Sequence, residues 1–142
     1  MPKSTSSAVW EGGLRQGKGV YSAGSGAFTG AYSFTSRFEG APGTTPEELI
    51  AAAHAACLSM ALSAGLEKDG TPPTRITTTA TCTFEKLEPG FRITKMNLQV
   101  RGVVPGMDQA AFAKAAEAAK EGCPVSNALK GNVQFILDAS LE

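Results

Sequence analysis

Three thiols and one imidazole hold most of the reactive chemistry in this sequence: Cys57, Cys82, Cys123 and His54, the only histidine. His54 precedes Cys57 by three positions, so on a helix the two side chains share a face. That spacing suits a Cys–His nucleophile pair or part of a metal site. A metal needs three or four ligands, however, and there is no Cys-x-x-Cys, so no metal is expected. A Cys–His hydrolase would further need an oxyanion donor and an orienting acid, and neither is apparent. The simpler reading of His54 is a helix residue hydrogen-bonded within the core or an interface. Cys82 alternates with Ala80 and Phe84 and reads as a small core residue.

Cys57 and Cys123 sit in different local settings. Cys57 lies twelve positions beyond Thr45, the expected cap of its helix, so the helix dipole cannot activate it. Burial among alanines raises a thiol's pKa and makes it inert. Spacing alone therefore favours a buried structural cysteine, and reactivity would require an imported cation. Cys123 directly precedes Pro124 at an expected helix start, where outward-pointing N–H groups stabilise a thiolate. It reads equally as an acidic thiol or as the cap of a tight Gly-Cys-Pro turn.

The elements that must position these groups are legible from the pattern. Short strands with glycine turns fill the first forty residues. Ala8 and Trp10 alternate on the first, Val20 to Ser22 pair back, and Tyr32 and Phe34 alternate on the third, which leads to Arg37. Thr45-Pro46-Glu47-Glu48 is a helix start with cap, proline and acids in place. The helix should run from Pro46 to about Lys68, roughly 34 Å. Leu49 to Leu66 contains no Asp, Glu, Lys or Arg. The stretch reaches transmembrane length but is mostly alanine, with serines, a glycine and His54 inside it, and reads as a buried helix. One small sheet covers one side of such a helix. The other side is expected to pack against a second copy of the chain. Ile76, Thr78, Ala80, Cys82 and Phe84 then share one strand face, and the next strand slips phase between Ile93 and Met96, which predicts a bulge. Asp108 caps a helix striped by Phe112, Ala115, Ala116 and Ala119. Cys123-Pro124 opens a short helix, and Val133, Phe135 and Leu137 form a last strand. The order βββ-α-ββ-αα-β describes an α+β fold.

Composition narrows the function classes. The length of 142 residues suits one compact domain over residues 1–142. Thirteen basic residues balance thirteen acidic ones, against a nucleic-acid or anionic-membrane binder. Three cysteines make no secreted disulfide framework, and Met1 to Ser7 form no apolar signal core, so the reducing cytoplasm is the expected compartment. The glycine-rich start lacks a G-x-G-x-x-G or Walker pattern, so no nucleotide cofactor is expected.

Arg37-Phe38-Glu39-Gly40, the block from Gly43 to Leu62 with His54-Ala55-Ala56-Cys57, and Gly122-Cys123-Pro124-Val125-Ser126 closely resemble the OsmC/Ohr family of osmotically inducible and organic-hydroperoxide-resistance proteins. Trp10-Glu11-Gly12 and Phe91-Arg92-Ile93-Thr94-Lys95 extend the likeness over essentially the whole chain. The arginine beside Phe38-Glu39-Gly40 resembles the OsmC branch more than the Ohr branch. The resemblance implies a cytoplasmic, thiol-dependent peroxidase without metal, haem or other cofactor. It implies an intertwined homodimer with the long helix at its interface. By position, Cys57 matches the peroxidatic cysteine, Cys123 the resolving cysteine, Arg37 the activating arginine and Glu47 the acid that orients it. Cys82 matches no catalytic position. The implied reaction reduces organic hydroperoxides, and hydrogen peroxide more weakly, through a Cys57 sulfenic acid and a Cys57–Cys123 disulfide. An external dithiol then restores the enzyme, a lipoyl-type one by analogy with the Ohr branch. The rivals are a non-enzymatic redox sensor or small-molecule binding dimer using the same interface pocket, and a Cys–His ester hydrolase.

The implied arginine supplies the missing cation, because a guanidinium stays charged and offers several donors in one plane. Glu47 and Cys57 lie ten residues apart on one helix, roughly 15 Å, too far for one arginine to bridge. Antiparallel helices in a dimer remove the conflict, with Glu47 of one chain beside Cys57 of the other.

Overall fold

The computed structural model describes residues 1–142. They divide into two compact units, residues 1–46 and residues 47–142.

The first unit is an antiparallel meander of β1 (Ser6–Glu11), β2 (Lys18–Ala23) and β3 (Thr29–Tyr32). Trp10 and Tyr32 both stand opposite Gly19 in the register. Their rings lie 5.4 Å apart, tilted by 49°. A Cβ on Gly19 would fall 2.5 Å from the Tyr32 ring and 2.7 Å from that of Trp10. Glycine is required there by close approach of the rings.

The third strand is shorter than the alternation of Tyr32 and Phe34 suggests. It ends at Tyr32, and Phe34–Phe38 form a short helix, α1. The reason is a reciprocal cap. The Ser33 hydroxyl accepts from the Ser36 amide at 3.0 Å, and the Ser33 amide donates to the Ser36 hydroxyl at 2.9 Å. Satisfying two orphan donors at once outweighs a two-residue extension of the strand pattern. The buried Ser36 hydroxyl also reaches the Thr44 carbonyl at 2.9 Å, which ties α1 to the chain leading into the long helix.

That helix, α2 (Pro46–Lys68), has the expected bounds. Glu47, Ala51, His54, Leu58, Leu62 and Leu66 form its buried stripe, spaced by three and four residues. The opposite face is also apolar. Ala52, Ala53, Ala56 and Ala64 are exposed, and Met60 is 76% exposed. By length and composition alone the helix would also suffice to cross a membrane.

The second sheet runs in the order β4 (Arg75–Lys86), β5 (Phe91–Val103), β6 (Gln134–Leu141). β4 and β5 are antiparallel, and β5 and β6 are parallel. The register builds apolar rows across one face: Cys82, Met96 and Phe135, then Ala80, Leu98 and Leu137. The expected bulge is present. Thr83 pairs with Lys95 and Phe84 with Ile93, which leaves Thr94 as the extra residue that restores the apolar phase of β5.

A parallel pair needs a crossover, supplied by α3 (Gln109–Gly122) and α4 (Pro124–Leu129). Asp108 caps α3 by accepting from the Ala111 amide at 2.8 Å. Gln109 clamps the start of α3 to β6, donating to the Ala139 carbonyl and accepting from the Leu141 amide, both at 2.9 Å. Phe112, fully buried, lays its ring against Gly102 of β5; a Cβ there would sit 2.5 Å from the ring. Phe112 joins Leu58, Leu62, Leu66, Met96, Leu98 and Val100 in a single core.

Candidate active site

Cys57 lies mid-way along α2 and is half-buried; Cys123 is fully buried at the N-cap of α4. The fold brings their thiols together, 66 residues apart in sequence, and both are free. Pro124 at the first helical position stops α3 and starts α4 within one residue, and this corner turns Cys123 toward α2.

The two thiols have opposite tendencies. Burial pushes the Cys57 thiol up, its interaction with Cys123 pushes it further, and the Val125 amide only partly offsets this. Burial also pushes Cys123 up, but the Cys57 thiol, the Ser126 amide and hydroxyl, and the Val125 amide together outweigh it and bring it below its ordinary value. The Cys123 side chain makes no capping hydrogen bond to the first turn of α4. Two thiols this close lose their first proton as a pair, and the charge settles toward Cys123. For Cys57, spacing alone favoured a thiol raised by burial; for Cys123 it left an acidic thiol and a plain cap equally open.

Cys82 packs against the core from β4, with its pKa raised by burial and then by the Glu47 carboxylate. Glu47 is buried in the first turn of α2, near Cys82 of β4 and ten residues before Cys57. Arg37 belongs to the first unit, on α1. Its guanidinium lies 5.6 Å from the centroid of the Phe38 ring and lines a cavity of about 270 Å³ with Trp10, Tyr32 and Phe34.

His54 is fully buried, as the simpler reading held. Its Nε2 lies 2.8 Å from the Ser126 hydroxyl, and its ring packs edge-on against Phe135 at 5.1 Å. Ser126, itself buried, also contacts Cys123 and was not singled out as a functional residue by sequence. Nothing local marks it, because its partner lies 72 residues away. Burial lowers the pKa of His54. The imidazole is thus neutral in the fold and free to protonate in the unfolded chain. Below its ordinary value of about 6.5 the unfolded state holds the extra proton. The stability tied to His54 is therefore complete above that value and is lost as pH falls through it. We expect the denaturant midpoint to fall between about pH 7.5 and about pH 5.5, and His54→Gln to flatten part of that fall. With one histidine in the chain, an unaltered slope in the variant would rule His54 out as its source.

An α+β fold that presents two adjoining free thiols has the parts that thiol–disulfide chemistry requires. The chain belongs to the OsmC-like protein family, matched over residues 38–138. Peroxiredoxin OsmC of Escherichia coli (strain K12) is 50% identical over 127 residues, 89% of each chain. The organic hydroperoxide resistance protein of Xanthomonas axonopodis pv. citri (strain 306) is 34% identical over 99 residues, 69% of this chain and 68% of the other. In three dimensions the chain is similar to the organic hydroperoxide resistance protein OhrB of Bacillus subtilis, with a TM-score of 0.76 at 26% identity over 96% of this chain and 98% of that one. These relatives support a peroxidase-like role at the level of the family.

Proposed function

We propose that this protein is a cytoplasmic thiol peroxidase that reduces organic hydroperoxides, and hydrogen peroxide more weakly, as a homodimer with a single functional domain over residues 1–142. The observation that carries the reading is the meeting of Cys57 and Cys123 in one fold. The Cys57 thiolate attacks the O–O bond, an alcohol leaves, and Cys57 becomes a sulfenic acid. Cys123 condenses with it to a disulfide and releases water. An external dithiol, lipoyl-type by analogy with the Ohr branch, reduces the disulfide by exchange.

The resting pair favours charge on Cys123, the reverse of what attack by Cys57 needs. The reading assigns that reversal to Arg37, oriented by Glu47. Because Glu47 and Cys57 are about 15 Å apart along α2, each site draws Glu47 from one chain and Cys57 from the other. The uncovered apolar face of α2 supports a second copy packing there. Ala53 and Met60, four residues before and three after Cys57, flank it on that face and favour an alkyl hydroperoxide over hydrogen peroxide.

Treating the reduced protein with one equivalent of an alkyl hydroperoxide should lower its intact mass by about two units, the two hydrogens of a disulfide. Peptide mapping should place the link between Cys57 and Cys123. An unchanged mass, or a link to Cys82, would overturn the reading. A disulfide formed without multiple-turnover peroxide loss in the presence of dithiol would make the protein a sensor instead.

A further inference from the structure

The peroxidase reading leaves one buried polar pair without a task. His54 and Ser126 are 0% and 2% exposed, come from different elements, and meet at 2.8 Å directly behind Cys123. Burying an imidazole against Phe135 costs free energy that the Ser126 hydrogen bond offsets at Nε2 but not at Nδ1, which has no partner.

The proton arrangement follows from the geometry. Nδ1 of His54 is buried without a hydrogen-bond partner. If Nε2 accepted from Ser126, Nδ1 would carry an orphan N–H, and the single hydroxyl proton of Ser126 would be turned away from the sulfur. If Nε2–H donates to Ser126, the orphan is a lone pair, and the Ser126 hydroxyl is left to donate to Cys123. Among buried backbone groups an orphan N–H is likewise rarer than an under-satisfied acceptor. The second arrangement satisfies more of the cluster and polarises it in one direction, from imidazole to hydroxyl to sulfur.

We propose that His54 and Ser126 are positioning residues for the closure of the Cys57–Cys123 disulfide: Nε2–H of His54 fixes the Ser126 hydroxyl, which donates to the Cys123 sulfur and holds it as the attacking thiolate. This inference rests on the peroxidase reading. In the closing step the Cys123 thiolate attacks the sulfur of the Cys57 sulfenic acid. The S–S bond forms and the S–O bond breaks, so Cys123 is oxidised and the sulfenic sulfur reduced. The departing hydroxide takes up the proton that Cys123 gave up and leaves as water, so no outside oxidant is needed. Of the titratable groups on α2, Cys57 faces Cys123 directly and His54 reaches it only through Ser126. α4 carries no charge over Pro124–Leu129, and the last turn of α3 carries Lys120 and Glu121, which are paired with Glu117 and Lys130 respectively. On the peroxidase reading, Arg37 also faces the pair.

The test is stopped-flow measurement of sulfenic acid formation and disulfide closure as separate phases, in wild type, Ser126→Ala, His54→Leu and His54→Gln, across pH. Losing one hydrogen bond to a charged sulfur cuts the thiolate fraction about tenfold below its midpoint. Each remaining thiolate becomes about threefold more nucleophilic, because nucleophilicity rises with basicity. Closure in Ser126→Ala and His54→Leu should therefore be about threefold slower near neutrality and about threefold faster at high pH, with crossing profiles. The sulfenic acid phase should be unchanged, and His54→Gln, which keeps a donor, should restore closure. Equal slowing of both phases, or slowing at every pH, would make the pair merely structural and overturn the proposal. As a check independent of peroxide, ultraviolet titration of the thiolate in a Cys57→Ser, Cys82→Ser background should show Ser126→Ala moving the Cys123 midpoint upward; an unmoved midpoint overturns it. If that midpoint moves but wild type forms neither sulfenic acid nor disulfide, the peroxidase reading falls, and the role in closure falls with it.

Discussion

Cys57→Ser is expected to abolish multiple-turnover hydroperoxide reduction, leaving at most about a thousandth of the wild-type rate. A serine hydroxyl stays protonated at neutral pH and does not cleave an O–O bond. Cys123, although the more acidic sulfur of the resting pair, has no exposed surface, whereas Cys57 is half-exposed. Only Cys57 offers a hydroperoxide a line of approach. Cys123→Ser should behave differently: each chain forms one sulfenic acid, trapped by a 1,3-dicarbonyl reagent, and then stops or turns over slowly. Peroxide consumption assayed with a dithiol reductant distinguishes the three proteins. Equal consumption by wild type and Cys57→Ser would remove Cys57 from the chemistry.

The second large effect concerns the fold. Phe112→Ala is expected to cost about 3–5 kcal/mol of stability, set against a typical total of about 5–15 kcal/mol for a domain. The ring is fully buried and fills the space that Gly102 leaves open on β5. The converse change, Gly102→Val, places methyl groups where the ring already lies and should cost about 1–3 kcal/mol through overpacking. The two defects are complementary in volume and in contact. Phe112→Ala with Gly102→Val should therefore be less destabilised than the sum of the single variants. Urea midpoints at constant slope measure all three. Strict additivity would show that ring and glycine do not share one packing site.

Most of the secondary structure was legible because it is encoded locally. The bounds of α2, the cap at Asp108, the break at Cys123-Pro124 and the bulge beside Ile93 each arise from a few adjacent residues. The end of the third strand was misread for the same reason. Alternating Tyr32 and Phe34 mimic a strand, while the competing signal is a serine–serine cap in place of the usual serine–glutamate one. The site was legible in parts. A buried, bonded His54 followed from its own helix, whereas the sequence left an acidic Cys123 and a plain cap equally open. That His54 meets Ser126, or that a phenylalanine ring needs Gly102, depends on contacts across the crossover and the sheet register. Such contacts leave no trace in the spacing of nearby residues.

The parallel pairing of β5 with β6 has a consequence for biosynthesis. Cys123 rides on the connection between these two strands, and that connection closes when β6 docks along Lys95 to Gly102. A ribosome-bound chain that has emerged only through β5 carries Cys57 and Cys82 but not Cys123. Long-range strand pairing of this kind is among the slower steps of folding. The Cys57–Cys123 pair is therefore assembled last, and oxidant met during translation finds Cys57 before Cys123 is in place.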